Sequence, residues 1–259
     1  MSSDIDAIQP PAAPPATPPH LNTLQRLTGV LFSPDETFAD IARKPNIVAP
    51  LVLYLIIGWA AALLTISHID FEAMPREQME STQPNMPEAD MERMVKFQAG
   101  LTKGFFYIQP VVATLVFAFV AFVFWLAFKI FGGAGTYQQA FSVTLYAWLP
   151  VMISSIAVTA VVLVTNRTVD IMELQTLLRS SPAFLVDRKD SPVLFALLGS
   201  FDIFTLWTLF LFTVGFAHVS KFTKAKAAAI VGAIWGILLL FKVGGAALGA
   251  MAAKKASAS

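Results

Sequence analysis

Residues 105–128 read FFYIQPVVATLVFAFVAFVFWLAF, twenty-four residues without a charge. A helix needs about 20 apolar residues to cross about 30 Å of hydrocarbon, so this stretch reads as a membrane span. Four more stretches read the same way. Those at about 48–67 and 140–164 carry no charge, the one at about 200–219 carries Asp202, and the one at about 227–250 carries Lys242. The pattern predicts an all-α fold, a polytopic integral membrane bundle of five transmembrane helices with short amphipathic helices around it. The bundle occupies 48–252 and leaves a short C-terminal tail at 253–259. An odd number of spans puts the two termini on opposite sides.

Composition agrees. The 259 residues are 56% hydrophobic and 14% charged, with a mean hydropathy of +0.66. Ordinary soluble domains are about 45–50% apolar and about 25% charged. The arithmetic argues against a soluble enzyme, a nucleic-acid binder and a secreted disulfide scaffold. A formal net charge of +1 gives no basic field for nucleic acid. The absence of cysteine removes disulfides, thiolate metal sites and cysteine nucleophiles.

Residues 1–20 carry six prolines, two acids and no Lys or Arg. They lack the basic start and apolar core of a secretory signal and read as an extended, disordered tail. Residues 21–47 read as amphipathic juxtamembrane helices. Leu21, Leu24, Leu27 and Leu31 recur at helical spacing, giving a helix on the membrane surface or on the bundle. Ser33-Pro34-Asp35-Glu36 predicts a capping box that opens a second helix over about 34–44, with Pro45 ending it. In the connections, 88–101 has helical spacing and leads into the second span. Ile171, Leu174 and Leu177/Leu178 suggest an amphipathic helix, and Ser191-Pro192 starts another.

Charges near span ends set orientation. Lys221, Lys224 and Lys226 cluster between spans four and five, and Arg43 and Lys44 flank span one. These clusters predict a cytoplasmic N-terminus and a C-terminus on the opposite side. Phe38, Ile41, Arg43, Lys44, Lys221, Lys224 and Lys226 then form a candidate cytoplasmic surface for a membrane or cytoplasmic protein partner.

Asp202 and Lys242 are the two charges inside spans, where an ionisable group costs about 2.5–3.5 kcal/mol at the centre. A hairpin turning at Phe222 puts both at one depth, since each lies twenty residues from the turn. They could form an intramembrane ion pair, meet water separately near the outer interface, or line a polar path in a small transporter or channel subunit. In span five, Gly232 with Gly236 and Gly245 with Gly249 are four apart, a spacing that lets helices approach closely. They are expected to pack inside the bundle, with a homodimer seam as the alternative. Pro110 and Pro150 are candidate kinks. No catalytic motif is recognisable, and His20, His68 and His218 fall too far apart on this topology to share a metal. The sequence therefore reads as a non-enzyme without cofactor or metal.

Several stretches, in order, resemble the Yip family of five-span membrane proteins (Ypt/Rab-interacting proteins), and its bacterial branch most. They are Leu31-Phe32-Ser33-Pro34 with Phe38, Ile41 and Pro45, then Phe131-Gly132-Gly133, Phe141, Tyr146 and Leu149-Pro150. Asp202-Ile203-Phe204, Leu206-Trp207, Gly215 and Lys224-Ala225-Lys226-Ala227 complete the set. The likeness covers about 21–250. It implies a cytoplasmic N-terminal segment, a five-helix domain and, for the bacterial branch, the inner membrane. It also implies a membrane-organising or partner-binding module. Eukaryotic members would imply Rab GTPases as partners, but the Asp-Leu-Tyr-Gly and Gly-Tyr motifs of those members are missing here.

Overall fold

A computed structural model describes residues 20–171, 173–188 and 190–256. The Pro-rich tail up to residue 19 and the last three residues lie outside them. Among the described residues, five helical stretches are long and apolar enough to cross a membrane: Val48–His68, Glu88–Ile130, Tyr137–Thr165, Ile203–Ser220 and Lys224–Ala252. Each covers one of the spans expected from sequence.

The chain opens with α1 (Thr23–Phe32) and α2 (Pro34–Arg43), and the first span is α3 (Val48–Thr65). After α4 (Ala73–Thr82), α5 (Glu88–Ile130) forms the second span. At about 1.5 Å per residue, its 43 residues outrun a bilayer by a wide margin. The charged first part of α5 therefore stands outside, packed on α4. The third span is two helices, α6 (Tyr137–Ala147) and α7 (Leu149–Thr165). Pro150 explains the break. It has no N–H to give the Tyr146 carbonyl four residues back, and the helix restarts after Trp148. Pro110, in contrast, sits inside an unbroken α5. Then come α8 (Pro192–Leu198), α9 (Ile203–Ser220) and α10 (Lys224–Ala256).

One end of the bundle carries α1, α2 and the turns at 131–136 and 221–223. It is called the N-terminal end below. The other end carries the connections at 66–87 and 166–202. There a two-residue strand, Ile69–Asp70, pairs in parallel with Val169–Asp170. Ile69, Phe71 and Ala99 form a small apolar cluster beneath it.

The main core surrounds α9, which packs against α2, α6, α7 and α10. Phe124 stacks on Phe212 with ring centroids 4.7 Å apart, and Phe128 on Phe216 at 4.9 Å. Gly215 lies where α2 and α6 press closest. A Cβ there would sit 2.5 Å from Val143 Cγ1 and 3.0 Å from Phe38 Cδ1. Gly135 has φ +98°, and a Cβ would collide with Val219, so the turn into α6 needs glycine for backbone and space alike.

Two local expectations are corrected. Ser33 precedes α2, but its side chain makes no cap hydrogen bond. The capping boxes that do form are Asn22 with Gln25 at α1 and Thr136 with Gln139 at α6. The segment 171–178 is not an amphipathic helix. It holds a short 3-10 turn, Glu173–Gln175, whose Glu173 N–H donates to the Asp170 carboxylate at 2.7 Å. That local bond competes with helix formation, and eight residues are too few to nucleate one unaided.

Candidate functional site

At the N-terminal end, α1 and α2 pack on the bundle, the second of the two expected placements. Val30, Phe38 and Ile41 are fully buried and belong to the main core. Phe38 and Ile41 are therefore not part of a partner surface. At i and i+3 on α2 they face inward against α6 and α9, and burying such side chains contributes about 1.5–3 kcal/mol each.

Asp40 locks the two helices together. Its Oδ2 accepts from Arg26 Nε at 2.9 Å and Nη2 at 2.7 Å, and from the Leu21 N–H at 3.2 Å. Its Oδ1 lies 3.0 Å from His20 Nδ1 and 3.3 Å from Arg43 Nη2. The Arg26 side chain is 4% exposed and that of Asp40 2%. Tyr146 is fully buried in the same core, and its hydroxyl has no hydrogen-bond partner among the described residues. Further bonds hold α2 to α6. Gln139 Nε2 donates to the Ala42 carbonyl at 2.6 Å, and Ser142 Oγ to the Asn46 carbonyl at 3.0 Å. Asp35 closes the far edge, with His218 Nε2 and Lys224 Nζ each 2.7 Å from its carboxylate oxygens.

Burial pushes the Asp40 carboxyl up. The hydrogen bonds from His20 and Arg26 and the guanidinium charge outweigh it and hold the carboxyl below its ordinary value. Lys224 and His218 hold Asp35 below its ordinary value too. A carboxyl depressed by folding adds stability above its unfolded value, about 3.9, and loses it as the pH falls through the folded value. The thermal midpoint in detergent should therefore hold its carboxylate contribution from pH 7 to about 5 and fall below about pH 4. In Asp40→Asn the acid-induced fall should shrink. An equal acid-induced fall in this variant would contradict the assignment.

With α1 and α2 locked, the face they share with the turns is basic. Arg43, Lys44, Lys129, Lys221, Lys224 and Lys226 are exposed. Lys224 is engaged by Asp35. Lys226 Nζ sits 3.6 Å from the Phe222 ring centroid and 3.1 Å from the Phe131 carbonyl. Among the described residues, the ammonium groups of Lys44, Lys129 and Lys221 have no hydrogen-bond or ion-pair partner. Lys129 and Lys221 edge a cleft of about 1070 Å³ with Arg43, Gln139, His218 and two acids, the exposed Glu36 and the ion-paired Asp40. Of the expected partner-surface residues, the structure thus keeps the five cations and removes the two apolar ones. Beside them it exposes Lys129, which directly follows the second apolar stretch.

At the opposite end, Asp202 is not inside a span. It is the N-cap of α9, accepting from the Phe204 and Thr205 N–H groups at 2.9 and 3.2 Å. Ser180 Oγ donates to its other oxygen. The ion pair with Lys242, one of the three alternatives, is not formed. Both residues line one cavity of about 660 Å³, but no salt bridge joins them. They share a depth along the bundle, as the hairpin arithmetic requires, with Asp202 just before the span Ile203–Ser220 and Lys242 within the span Lys224–Ala252. Asp202 precedes the 18 residues of α9, and Lys242 follows Lys224 by 18 positions, about 27 Å in each case. Gly232, Gly236, Gly245 and Gly249 do not pack inside the bundle either. A Cβ on any of them would meet nothing within 4 Å. Beyond Val231, none of the described side chains of α10 is buried, and these glycines face open space.

These features define an integral, multi-pass α-helical membrane protein with a preformed basic face at one end. The Yip1 domain matches residues 28–245, and the chain belongs to that family. It is 25% identical over 218 residues to a protein of Bacillus subtilis (strain 168) named membrane protein YknW, covering 84% of this chain and 88% of that one. No solved structure matches it. Several residues that carry the resemblance, Phe38, Ile41, Tyr146 and Gly215, meet in the main core, so in this chain they serve the docking of α1 and α2.

Proposed function

We propose that this is a non-catalytic protein of a bacterial inner membrane whose N-terminal end faces the cytoplasm and docks an acidic segment of a protein partner. The observation that carries the reading is the trio Lys44, Lys129 and Lys221. These three unpaired cations lie on a face whose frame is held by a buried ion pair and a shared core. A rigid frame lowers the ordering cost of binding, and like-signed exposed charge steers a partner of opposite sign. A transport reading through Asp202 and Lys242 has less support, because the Asp202 carboxylate is taken up in capping α9.

Orientation is tested first. The chain has no cysteine, so single probes report cleanly. Lys221→Cys should react with a membrane-impermeant maleimide only after permeabilisation, and Gln83→Cys without it. The reverse pattern would invert the topology. Docking is then tested by crosslinking pull-down from native membranes. A partner recovered with the wild-type chain should drop about ten-fold, or about 1.4 kcal/mol, with Lys44→Glu, Lys129→Glu and Lys221→Glu combined. Undiminished recovery would reject this face.

A further inference from the structure

The cavity at the opposite end has an assignment of its own, independent of the docking face. It is lined by residues of α7, α8, α9, α10 and the connection at 174–188. Its volume of about 660 Å³ is in the usual range for small-molecule sites. Val151 and Val158 of α7 both line it. They are seven positions apart, so the cavity runs about 10 Å along α7. Val158 lies on the interface side and Val151 deeper in the bilayer, and Phe195 adds an aromatic wall.

Its charges are lopsided. Arg188 and Lys242 line it, and neither has a hydrogen-bond or ion-pair partner among the described residues. The one acid on the lining, Asp202, already accepts from Ser180, Phe204 and Thr205. Its carboxylate is committed to capping α9 and tying down the connection. Two uncompensated cations beside an apolar slot match a ligand with an anion at one end and a hydrocarbon chain at the other. A guanidinium and an ammonium together are strong donors to phosphate or carboxylate oxygens.

We propose that this cavity binds one anionic amphiphile, an acyl chain bearing a phosphate or carboxylate head, with Arg188 and Lys242 on the head and the chain along α7. The same placement explains why Lys242 is tolerated in an otherwise apolar helix. Its ammonium reaches the interface, where the bound anion compensates it.

The test uses the full chain, purified and stripped of lipid, with native mass spectrometry as the readout. Dioleoyl phosphatidylglycerol, oleate and dioleoyl phosphatidylcholine are titrated separately. The wild-type chain should retain one anionic amphiphile at about ten-fold lower concentration than phosphatidylcholine. Tighter retention of phosphatidylglycerol than oleate would assign the site to a bilayer lipid, and the reverse to a free fatty acid. Arg188→Gln with Lys242→Gln should abolish the preference, and Lys242→Arg should keep it. Ala196→Phe, which fills the cavity without touching charge, should lower retention of every probe. High salt should erase the preference in the wild-type chain, which needs no variant to fold. No anionic preference in the wild type, or a preference that survives loss of both cations, would overturn the proposal.

Discussion

Replacing Asp40 with alanine is expected to destabilise the protein by about 3–5 kcal/mol. The Arg26 guanidinium is almost fully enclosed, and the substitution leaves its charge buried without a counter-ion. The Leu21 N–H and His20 lose their acceptor as well. The Coulomb attraction of a buried pair and its desolvation largely cancel, so the pair itself stabilises little while one orphaned partner costs much. This gives the prediction a second arm. Arg26→Met combined with Asp40→Leu replaces the pair with apolar volume and should recover most of the lost stability. Reversible unfolding in detergent, run as a double-mutant cycle over the two sites, measures both. A loss below about 1 kcal/mol for Asp40→Ala would show that water reaches Arg26 and that the lock is weaker than its geometry.

The five spans were legible because hydropathy over about 20 residues is a local property that tertiary contacts barely alter. The second and third spans start earlier than their apolar stretches, at Glu88 and Tyr137. Helix starts are set by caps, and the Thr136–Gln139 box fixes the latter. Asp202 shows the same limit. Its charge placed it inside a span, while its chemistry, an aspartate ahead of an apolar run, is that of an N-cap. The lock around Asp40 was not legible, because its partner Arg26 lies fourteen residues away on another helix. One signal pointed to it. Asp40 follows Thr37, which is buried, by three residues on α2, and an acid on the inward face of an amphipathic helix calls for a cation. Charge shows which residues can face water, but only packing shows that the bundle itself covers Phe38 and Ile41. The cavity under Arg188 and Lys242 is assembled from four helices and a connection, and no single stretch announces it.

Burial of α2 also sets the largest packing effect. Phe38→Ala is expected to cost about 3–5 kcal/mol, the range for deleting a fully enclosed aromatic side chain, because Phe38 is 0% exposed between α6 and α9. Its neighbour Gly215 should respond with the opposite change in size. Gly215→Leu must push against both Val143 and Phe38, and overpacking of this kind costs about 1–3 kcal/mol or more. The two sites share one volume, so their effects should not add. Gly215→Ala in a background of Phe38→Leu and Val143→Ala has room for the new methyl, and should be less destabilising there than in the wild-type chain. Equal cost in both backgrounds would mean that α2 moves away as a unit and that its seat on α9 is soft. The same packing changes how the basic face can be studied. Deleting 21–47 removes Val30, Phe38 and Ile41 from the core along with the lock, so loss of a partner in that deletion would report unfolding. Charge reversal at Lys44, Lys129 and Lys221 leaves the core intact and isolates the surface from the fold beneath it.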